Sequence, residues 1–144
     1  MATGTNRSRG AAAPVLGALA RTILVVEDFD ELREAMVASL RELRYRVEAA
    51  ADGGQGVRYA SKGTVDVIVM DVSLPIMNGI EVTRRIRAMG GAKRPHIIMT
   101  SAHVDARTRQ LAFEAGCDQY IAKPLEIDAV AAAIDAFFVK RDGR

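Results

Sequence analysis

Short apolar runs and amphipathic segments alternate along the chain from Thr22 onward. The runs Ile23-Leu24-Val25-Val26 and Val67-Ile68-Val69-Met70 are apolar throughout, which is typical of strands buried on both faces. The first helical segment places Leu32, Met36, Leu40 and Leu43 on one face. The predicted strands are residues 22–27, 45–50, 65–71, 96–101 and 120–123, and the predicted helices are 30–43, 54–61, 79–89, 105–115 and 127–140.

This alternation predicts an α/β fold. Five strand–helix units indicate a doubly wound, five-stranded parallel sheet with helices on both faces. Right-handed crossovers then bring the carboxyl ends of all the strands to one edge of the sheet. We therefore expect any ligand site at that edge.

The bulk composition is that of an ordinary globular protein, and it excludes several classes of function. The 144 residues suit one domain, and a net charge of +2 is too small to predict direct binding of nucleic acid. No apolar stretch approaches the ~20 residues of a membrane span, so no membrane insertion is expected. The single cysteine, Cys117, fits a reducing compartment such as the cytoplasm, and we expect a small core residue at a helix end.

The first twenty residues differ in composition from the rest. Arg7 and Arg9 precede an alanine- and glycine-rich stretch that loosely mimics a signal peptide. That stretch is weakly hydrophobic and broken by Pro14, and the first strand follows it without a spacer. We predict a flexible tail over residues 1–20, with a helical turn near residues 15–20 as an option, and one domain over residues 21–141 without an effector domain.

Three acids and one lysine fall at the ends of predicted strands. Asp71 ends one strand, Glu27 and Asp28 end another, and Lys123 ends the last. Taken singly, each would be an ordinary turn residue, a helix cap or a solvated charge. Asp30 could cap the next helix as well as Glu27 or Asp28 could. Together, the carboxylates would raise one another's pKa unless a cation such as Mg²⁺ or Mn²⁺ neutralised them. The pattern therefore predicts a site for a divalent cation and a phosphoryl group.

The residues that follow Asp71 and Lys123 would shape the loops of this site. Pro75 fixes the direction of the backbone, and Gly79 allows a close approach that other residues resist. Pro124 follows the lysine, with a cis peptide bond as an option. The backbone carbonyl of Ser73 is a candidate further ligand for the cation.

A hydroxyl group at the end of the fourth strand is a candidate hydrogen-bond donor to a phosphate. Ser101 is the first candidate, and Thr100 is its rival. With it, four motifs follow one another along the chain. They are Val25-Val26-Glu27-Asp28, Asp71-Val72-Ser73-Leu74-Pro75-Ile76-Met77-Asn78-Gly79, Ser101-Ala102 and Lys123-Pro124.

In this order and spacing, the motifs resemble the receiver (CheY-like) domain of bacterial two-component response regulators. The resemblance covers about residues 22–140 and implies a flavodoxin-like (βα)5 fold with strand order 2-1-3-4-5. It favours Ser101 over Thr100, because a small apolar residue, Ala102, follows Ser101.

The resemblance implies that Asp71 is a phosphoacceptor. Asp71 would take a phosphoryl group from a sensor histidine kinase or a histidine phosphotransfer protein. Asp28, Asp71 and the Ser73 carbonyl would hold Mg²⁺ or Mn²⁺. Glu27 would act through water, and Lys123 would neutralise charge from the other side. The chain would assist its own phosphorylation and dephosphorylation without being an enzyme.

The resemblance also implies a readout. Phosphate on Asp71 would draw Ser101 inward, and Tyr120 would rotate into the vacated space. The fourth helix, fifth strand and fifth helix would then present a changed surface to a downstream protein target, with a phosphorylation-linked homodimer left open. Ser73 and His103 lie beside the predicted site, and we hypothesise that they tune the access of water to the phosphate.

Other functions fit the sequence less well. The acidic pair Glu27 and Asp28 would repel a flavin phosphate, and an aspartyl phosphatase would want an acid where Ser73 stands. A receiver-like module that is not phosphorylated has no support, since every site position is suitably filled. The natural-looking Met1 and the short end after the last helix favour a stand-alone regulator, and the alternative is a receiver module cut from a longer regulator with an output domain.

Overall fold

A computed structural model describes residues 21–103 and 105–143 of the chain, in which strands and helices alternate. The strands are β1 (Thr22–Val26), β2 (Arg46–Ala50), β3 (Val67–Asp71), β4 (His96–Ser101) and β5 (Gln119–Ala122). The helices are α1 (Asp30–Glu42), α2 (Gly53–Ala60), α3 (Gly79–Met89), α4 (Ala106–Ala115) and α5 (Ile127–Asp142). The predicted tail over residues 1–20 and its optional helical turn lie outside the described residues.

The strands form one sheet in the order β2-β1-β3-β4-β5, and every neighbouring pair is parallel. The predicted doubly wound α/β fold and the strand order 2-1-3-4-5 are therefore confirmed. The register aligns Val26 of β1 with Met70 of β3, and Asp71 of β3 with Thr100 of β4. The carboxyl ends of the central strands consequently meet at one edge of the sheet.

Side-chain alternation along the strands divides the core into two layers. Ile23, Val25 and Val69 pack with residues of α1 and α5 on one face of the sheet. Leu24 and Met70 pack on the other face, with residues of α2, α3 and α4. Because both faces are covered, the central strands β1 and β3 contain uninterrupted apolar runs. Each fully buried aliphatic side chain stabilises the fold by about 1.5–3 kcal/mol, so the central strands hold their register firmly.

Three of the helices begin with a side-chain cap. Asp52, Asn78 and Asp105 each accept a hydrogen bond from a backbone N–H of the first turn, at 2.8, 3.0 and 2.8 Å. Helix α1 begins after Phe29, which makes no such bond, and the suggested cap Asp30 lies inside the first turn instead. The start of α3 is thereby fixed directly after the loop that follows Asp71.

The first helix ends earlier than its apolar pattern predicts. Leu43 follows the last helical residue and is 50% exposed, so the prediction that it shares one helix face with Met36 and Leu40 was wrong. The next residue, Arg44, has a φ of 75°, and this left-handed conformation turns the chain away from the core. Tyr45 then re-enters the core just before β2.

The other boundaries differ from the sequence-based ones by one or two residues. Lys123 follows β5 rather than ending it, and Glu27 follows β1. Helix α5 continues to Asp142. In the described part of the chain, no helix combines the length and the apolar character needed to cross a membrane.

A buried carboxylate joins three elements at the amino edge of the sheet. Asp66 precedes β3, and its side chain is 3% exposed. It accepts hydrogen bonds from the backbone N–H of Thr22 at 2.8 Å, from Lys93 Nζ at 3.0 Å and from Arg141 Nη1 at 2.9 Å. Burial alone would raise the pKa of Asp66, but the bonds from Thr22, Arg141 and Lys93 together hold it below the ordinary value.

We predict that Asp66→Asn lowers the free energy of unfolding at neutral pH by about 1–2 kcal/mol, since both cations are partly exposed and screened. The folded-state pKa is depressed, so this contribution is present above the ordinary value of 3.8 and is lost as pH falls through the lower folded value. Urea unfolding of both proteins as a function of pH measures the difference. Asp135→Asn, at an exposed position of α5, is the control. A gap between wild type and Asp66→Asn that widens in acid would contradict the prediction.

Candidate functional site

The predicted acids meet at the carboxyl edge of the sheet. Asp71 is the last residue of β3 and is 2% exposed, whereas Glu27 and Asp28 directly follow the neighbouring strand β1. One carboxylate oxygen from each of the three residues lies within 4.8 Å of the other two. The register between the two buried strands produces this cluster, because it aligns the residues that precede the acids.

Lys123 reaches into the cluster from the far side of β4. Its ammonium nitrogen lies 3.2 Å from Glu27 Oε1 and 3.3 Å from Asp71 Oδ1. Its backbone N–H donates to the carbonyl of Ser101 at 2.7 Å, which anchors the residue beside the end of β4. Burial lowers the pKa of Lys123, but the charges of Asp71 and Glu27 outweigh burial and raise it, so the side chain stays an ammonium ion.

The two acids of the pair have different surroundings. Glu27 is 1% exposed, and burial together with the charge of Asp71 raises its pKa. Its Oε2 accepts a hydrogen bond from the backbone N–H of Phe29 at 3.1 Å. Asp28 is exposed, and within the described residues its carboxylate takes part in no ion pair or hydrogen bond. One acid is therefore held in place, and the other faces solvent.

This donor set fits a hard divalent cation. Every donor is an oxygen, and among the residues that the structure describes three carboxylates face one ammonium, so the cluster carries net negative charge. The exposed Asp28 leaves room for bound waters, which Mg²⁺ retains in protein sites. The backbone N–H of Ser73 donates to Asp71 Oδ1 at 3.3 Å, so the backbone of this residue lies against the carboxylate.

The loop after Asp71 folds tightly onto the start of α3. The N–H groups of Leu74 and Gly79 both donate to the carbonyl of Val72, at 3.0 and 2.9 Å. A Cβ at Gly79 would collide with the carbonyl oxygen of Asp71, which explains why glycine stands there. Pro75 lies at the exposed tip of this loop.

Two further features complete the rim of the site. The peptide bond between Lys123 and Pro124 is cis, the option that the sequence left open. Ile76, in the loop after Asp71, has a φ of 68° and is fully exposed. A β-branched residue in this conformation is unusual, and the apolar pattern of the sequence contains no signal of it.

Ser101 and Tyr120 are linked through the backbone of His103. Ser101 is fully buried, and its Oγ accepts a hydrogen bond from the His103 N–H at 2.9 Å. The Tyr120 hydroxyl donates to the His103 carbonyl at 2.8 Å. Both peptide groups of one loop residue are therefore held, one by the candidate phosphate-binding serine and the other by the candidate readout tyrosine.

Thr100 lies on the other face of the strand. It is aligned with Asp71 across the sheet, it is 1% exposed, and its hydroxyl has no hydrogen-bond partner within the described residues. Alternation along β4 places Ser101, with Met99, on the face where Tyr120 packs. The link from the strand end to Tyr120 therefore runs through Ser101 and not through its rival.

Comparisons with known proteins identify the sequence pattern. A sequence profile of the family described as "Response regulator receiver domain" matches residues 23–135. The transcriptional regulatory protein DltR of Streptococcus agalactiae is 36% identical over 112 residues, which are 78% of this chain and 49% of that protein. This chain thus spans about half the length of the curated relatives it matches.

Solved structures give the same fold. A two-component response regulator of the LuxR family from Aurantimonas sp. SI85-9A1 aligns with a TM-score of 0.71 and 35% identity, covering 83% of this chain and 85% of that one. The CheX-CheY-BeF3-Mg²⁺ complex from Borrelia burgdorferi aligns with a TM-score of 0.74 and 23% identity, covering 83% of this chain and 90% of that one. At that lower identity the second likeness concerns the fold alone.

We predict that Asp71→Asn lowers the pKa of Glu27, because it removes a charge that, after burial, contributes to raising it. In wild type the raised pKa gives a contribution to stability that is present below the ordinary value of 4.5 and is lost as pH rises through the folded value. The loss of stability with rising pH should therefore be smaller in Asp71→Asn than in wild type. A carbon-13 NMR titration of the glutamate carboxyls measures the pKa, and Glu27→Gln assigns the signal. An unchanged or higher Glu27 pKa in Asp71→Asn would refute the prediction.

Proposed function

Since this chain belongs to the response regulator receiver domain family, we propose that Asp71 is its phosphoacceptor. The phosphoryl donor is a phosphohistidine on a sensor histidine kinase or a histidine phosphotransfer protein. The observation that carries the proposal is the convergence of Glu27, Asp28 and Asp71 within 4.8 Å, with Lys123 in contact with two of them. Such a site has the cation ligands and the charge that phosphoryl transfer requires.

The proposed reaction is a displacement at phosphorus. Lys123 and the Ser73 N–H both contact Asp71 Oδ1, so we assign Oδ2 as the attacking oxygen. A bond forms between this oxygen and phosphorus while the bond from phosphorus to the histidine nitrogen breaks. The products are an acyl phosphate on Asp71 and a free histidine on the donor. Water later attacks the acyl phosphate and releases inorganic phosphate.

Each remaining site residue has a separate part in this proposal. Asp28, Asp71 and the Ser73 carbonyl would hold Mg²⁺ or Mn²⁺, which would supply positive charge to the transferred phosphoryl oxygens. Glu27 would act on this cation through water. Lys123, already charged, would donate a hydrogen bond to another phosphoryl oxygen.

Ser101 supports a readout of the phosphate. Its oxygen accepts the His103 N–H, so its own proton is available to a phosphoryl oxygen. A shift of Ser101 toward the phosphate pulls on His103, which Tyr120 holds by the carbonyl. The proposed output surface is α4, β5 and α5, where a downstream protein, or a second copy of the chain in a phosphorylation-linked homodimer, would bind.

The setting of the chain is also part of the proposal. The first candidate is a stand-alone regulator in the cytoplasm. Its site would assist only the phosphorylation and dephosphorylation of the chain itself. The half-length match to curated relatives favours a second candidate, a receiver module of a longer regulator with an output domain. The size of the protein in a cell extract, detected with an antibody to this domain, distinguishes the two.

We predict that incubation with Mg²⁺ and acetyl phosphate adds the mass of one phosphoryl group to the wild-type chain. Asp71→Asn should gain none, because an amide nitrogen does not form the acyl phosphate, and chelation of the cation should abolish labelling of wild type. Intact-mass spectrometry gives the result directly. Unlabelled wild type would refute the proposal, and equal labelling of Asp71→Asn would move the acceptor to another residue.

We predict that Ser73→Ala and His103→Ala change the rate of dephosphorylation, since both side chains are exposed beside the site and limit the access of water. Both variants should dephosphorylate faster than wild type. The loss of phosphoryl mass with time measures the rate, and Gln110→Ala, exposed on α4, is the control. Rates equal to wild type in both variants would dismiss the tuning role.

A further inference from the structure

The guanidinium group of Arg33 binds the backbone of the acidic pair. Arg33 lies in α1, and its side chain is only 17% exposed although it is charged. Its Nη1 donates to the carbonyl of Glu27 at 2.9 Å and makes a longer contact of 3.5 Å with the carbonyl of Asp28. Its Nη2 donates to Asp30 Oδ1 at 2.6 Å. One side chain thus ties the first helix to the main chain of both acids.

These bonds fix the direction of the loop between β1 and α1. Glu27 is held at two further points, by Lys123 at one carboxylate oxygen and by the Phe29 N–H at the other. Asp28 has neither kind of support for its exposed carboxylate in the part of the chain that the structure describes. The position of Asp28 therefore depends on its backbone, and the Arg33 guanidinium reaches the carbonyl of this backbone.

Physical chemistry gives two opposite expectations for Arg33. As a positive charge near a candidate cation site, it should weaken the binding of a divalent cation by repulsion. As a clamp on the loop, it should strengthen binding, because a ligand held in position loses less conformational freedom when the cation arrives. Its donors point at carbonyl oxygens and at Asp30, which offset its charge locally. The geometry therefore favours the second effect.

We propose that Arg33 is a positioning residue for the divalent cation, which it serves by holding the Glu27–Asp28 backbone while the carboxylates face the site. This inference rests on the proposed cation site and adds a residue to it. Arg33 touches neither the phosphoryl group nor the reacting oxygen. Residues that orient metal ligands in this indirect way change metal affinity by about 10–100-fold when they are replaced.

The test is a calorimetric titration of Mg²⁺ into the full chain without phosphoryl donor. Arg33→Met removes the clamp and the charge together, and we expect the affinity for Mg²⁺ to fall at least about tenfold. Arg33→Lys keeps the charge but lacks the fork of donors. Its affinity for Mg²⁺ should therefore lie between that of wild type and that of Arg33→Met. Thermal unfolding with and without Mg²⁺ gives a second readout, because Arg33→Met should show a smaller cation-induced rise in Tm.

Arg41→Met is the matched control. Arg41 lies two turns further along α1 and donates through Nη2 to the carbonyl of Val47 at 3.1 Å, so this variant loses the same charge and the same kind of bond on the same helix. Its Mg²⁺ affinity should stay within about twofold of wild type, a shift below 0.5 kcal/mol. If Arg33→Met does not fold, the Mg²⁺ affinity of Arg33→Lys is compared with that of Arg41→Met instead. A larger loss in Arg33→Lys supports the positioning role, and an equal loss overturns it.

The outcomes separate this inference from the proposed function. Equal or tighter binding by Arg33→Met, or an equal loss in Arg41→Met, overturns the positioning role and leaves the cation site intact. Absence of Mg²⁺ binding by wild type overturns the cation site and the inference with it. Selective weakening in the Arg33 variants supports both.

Discussion

Carboxylates gathered at a buried strand end repel one another, and the surroundings of Asp71 oppose that repulsion. Asp71 and Glu27 are almost fully buried, and burial, followed by the charge of Asp71, raises the pKa of Glu27. Lys123 contacts both, and among the described residues it is the one ammonium within ion-pair distance of these acids. The excess negative charge is tolerated because the sheet and the loop bonds fix the acids in place, and it gives the cluster the charge and the oxygen donors that suit a divalent cation.

The sheet provides the rigidity that this arrangement needs. The strands that end at the site are covered by helices on both faces, so a shift in their register would expose a whole row of apolar side chains. Gly79 lets the start of α3 approach the Asp71 carbonyl closely and donates its N–H to Val72, and Asp66 ties the opposite edge of the sheet to α5. The sheet therefore holds the acids in place against their mutual repulsion. The parts of the site that can move are the loops around it.

The sequence predicts the sheet well, because strands that are buried on both faces are recognisable as uninterrupted apolar runs. It also predicts which acids and which lysine meet, since each of them ends or closely follows a strand of one parallel sheet. It fails at Leu43, where periodicity continues but the backbone turns out of the helix at Arg44. It gives no sign of Arg33, because a side chain that reaches back to loop carbonyls follows no periodicity. The orphan hydroxyl of Thr100 is likewise a property of packing that only the assembled structure contains.

The two hydrogen bonds to the His103 backbone have a consequence for which amino acids this position can carry. Ser101 accepts a hydrogen bond from the His103 N–H and Tyr120 donates one to its carbonyl, so this connection uses only main-chain atoms of His103. The imidazole takes no part in that connection and is exposed beside the site. Any amino acid except proline can make both bonds, whereas each one presents a different side chain beside the site. Under the proposed function, a substitution here would change how long the phosphate lasts without changing the two bonds that link Ser101 to Tyr120.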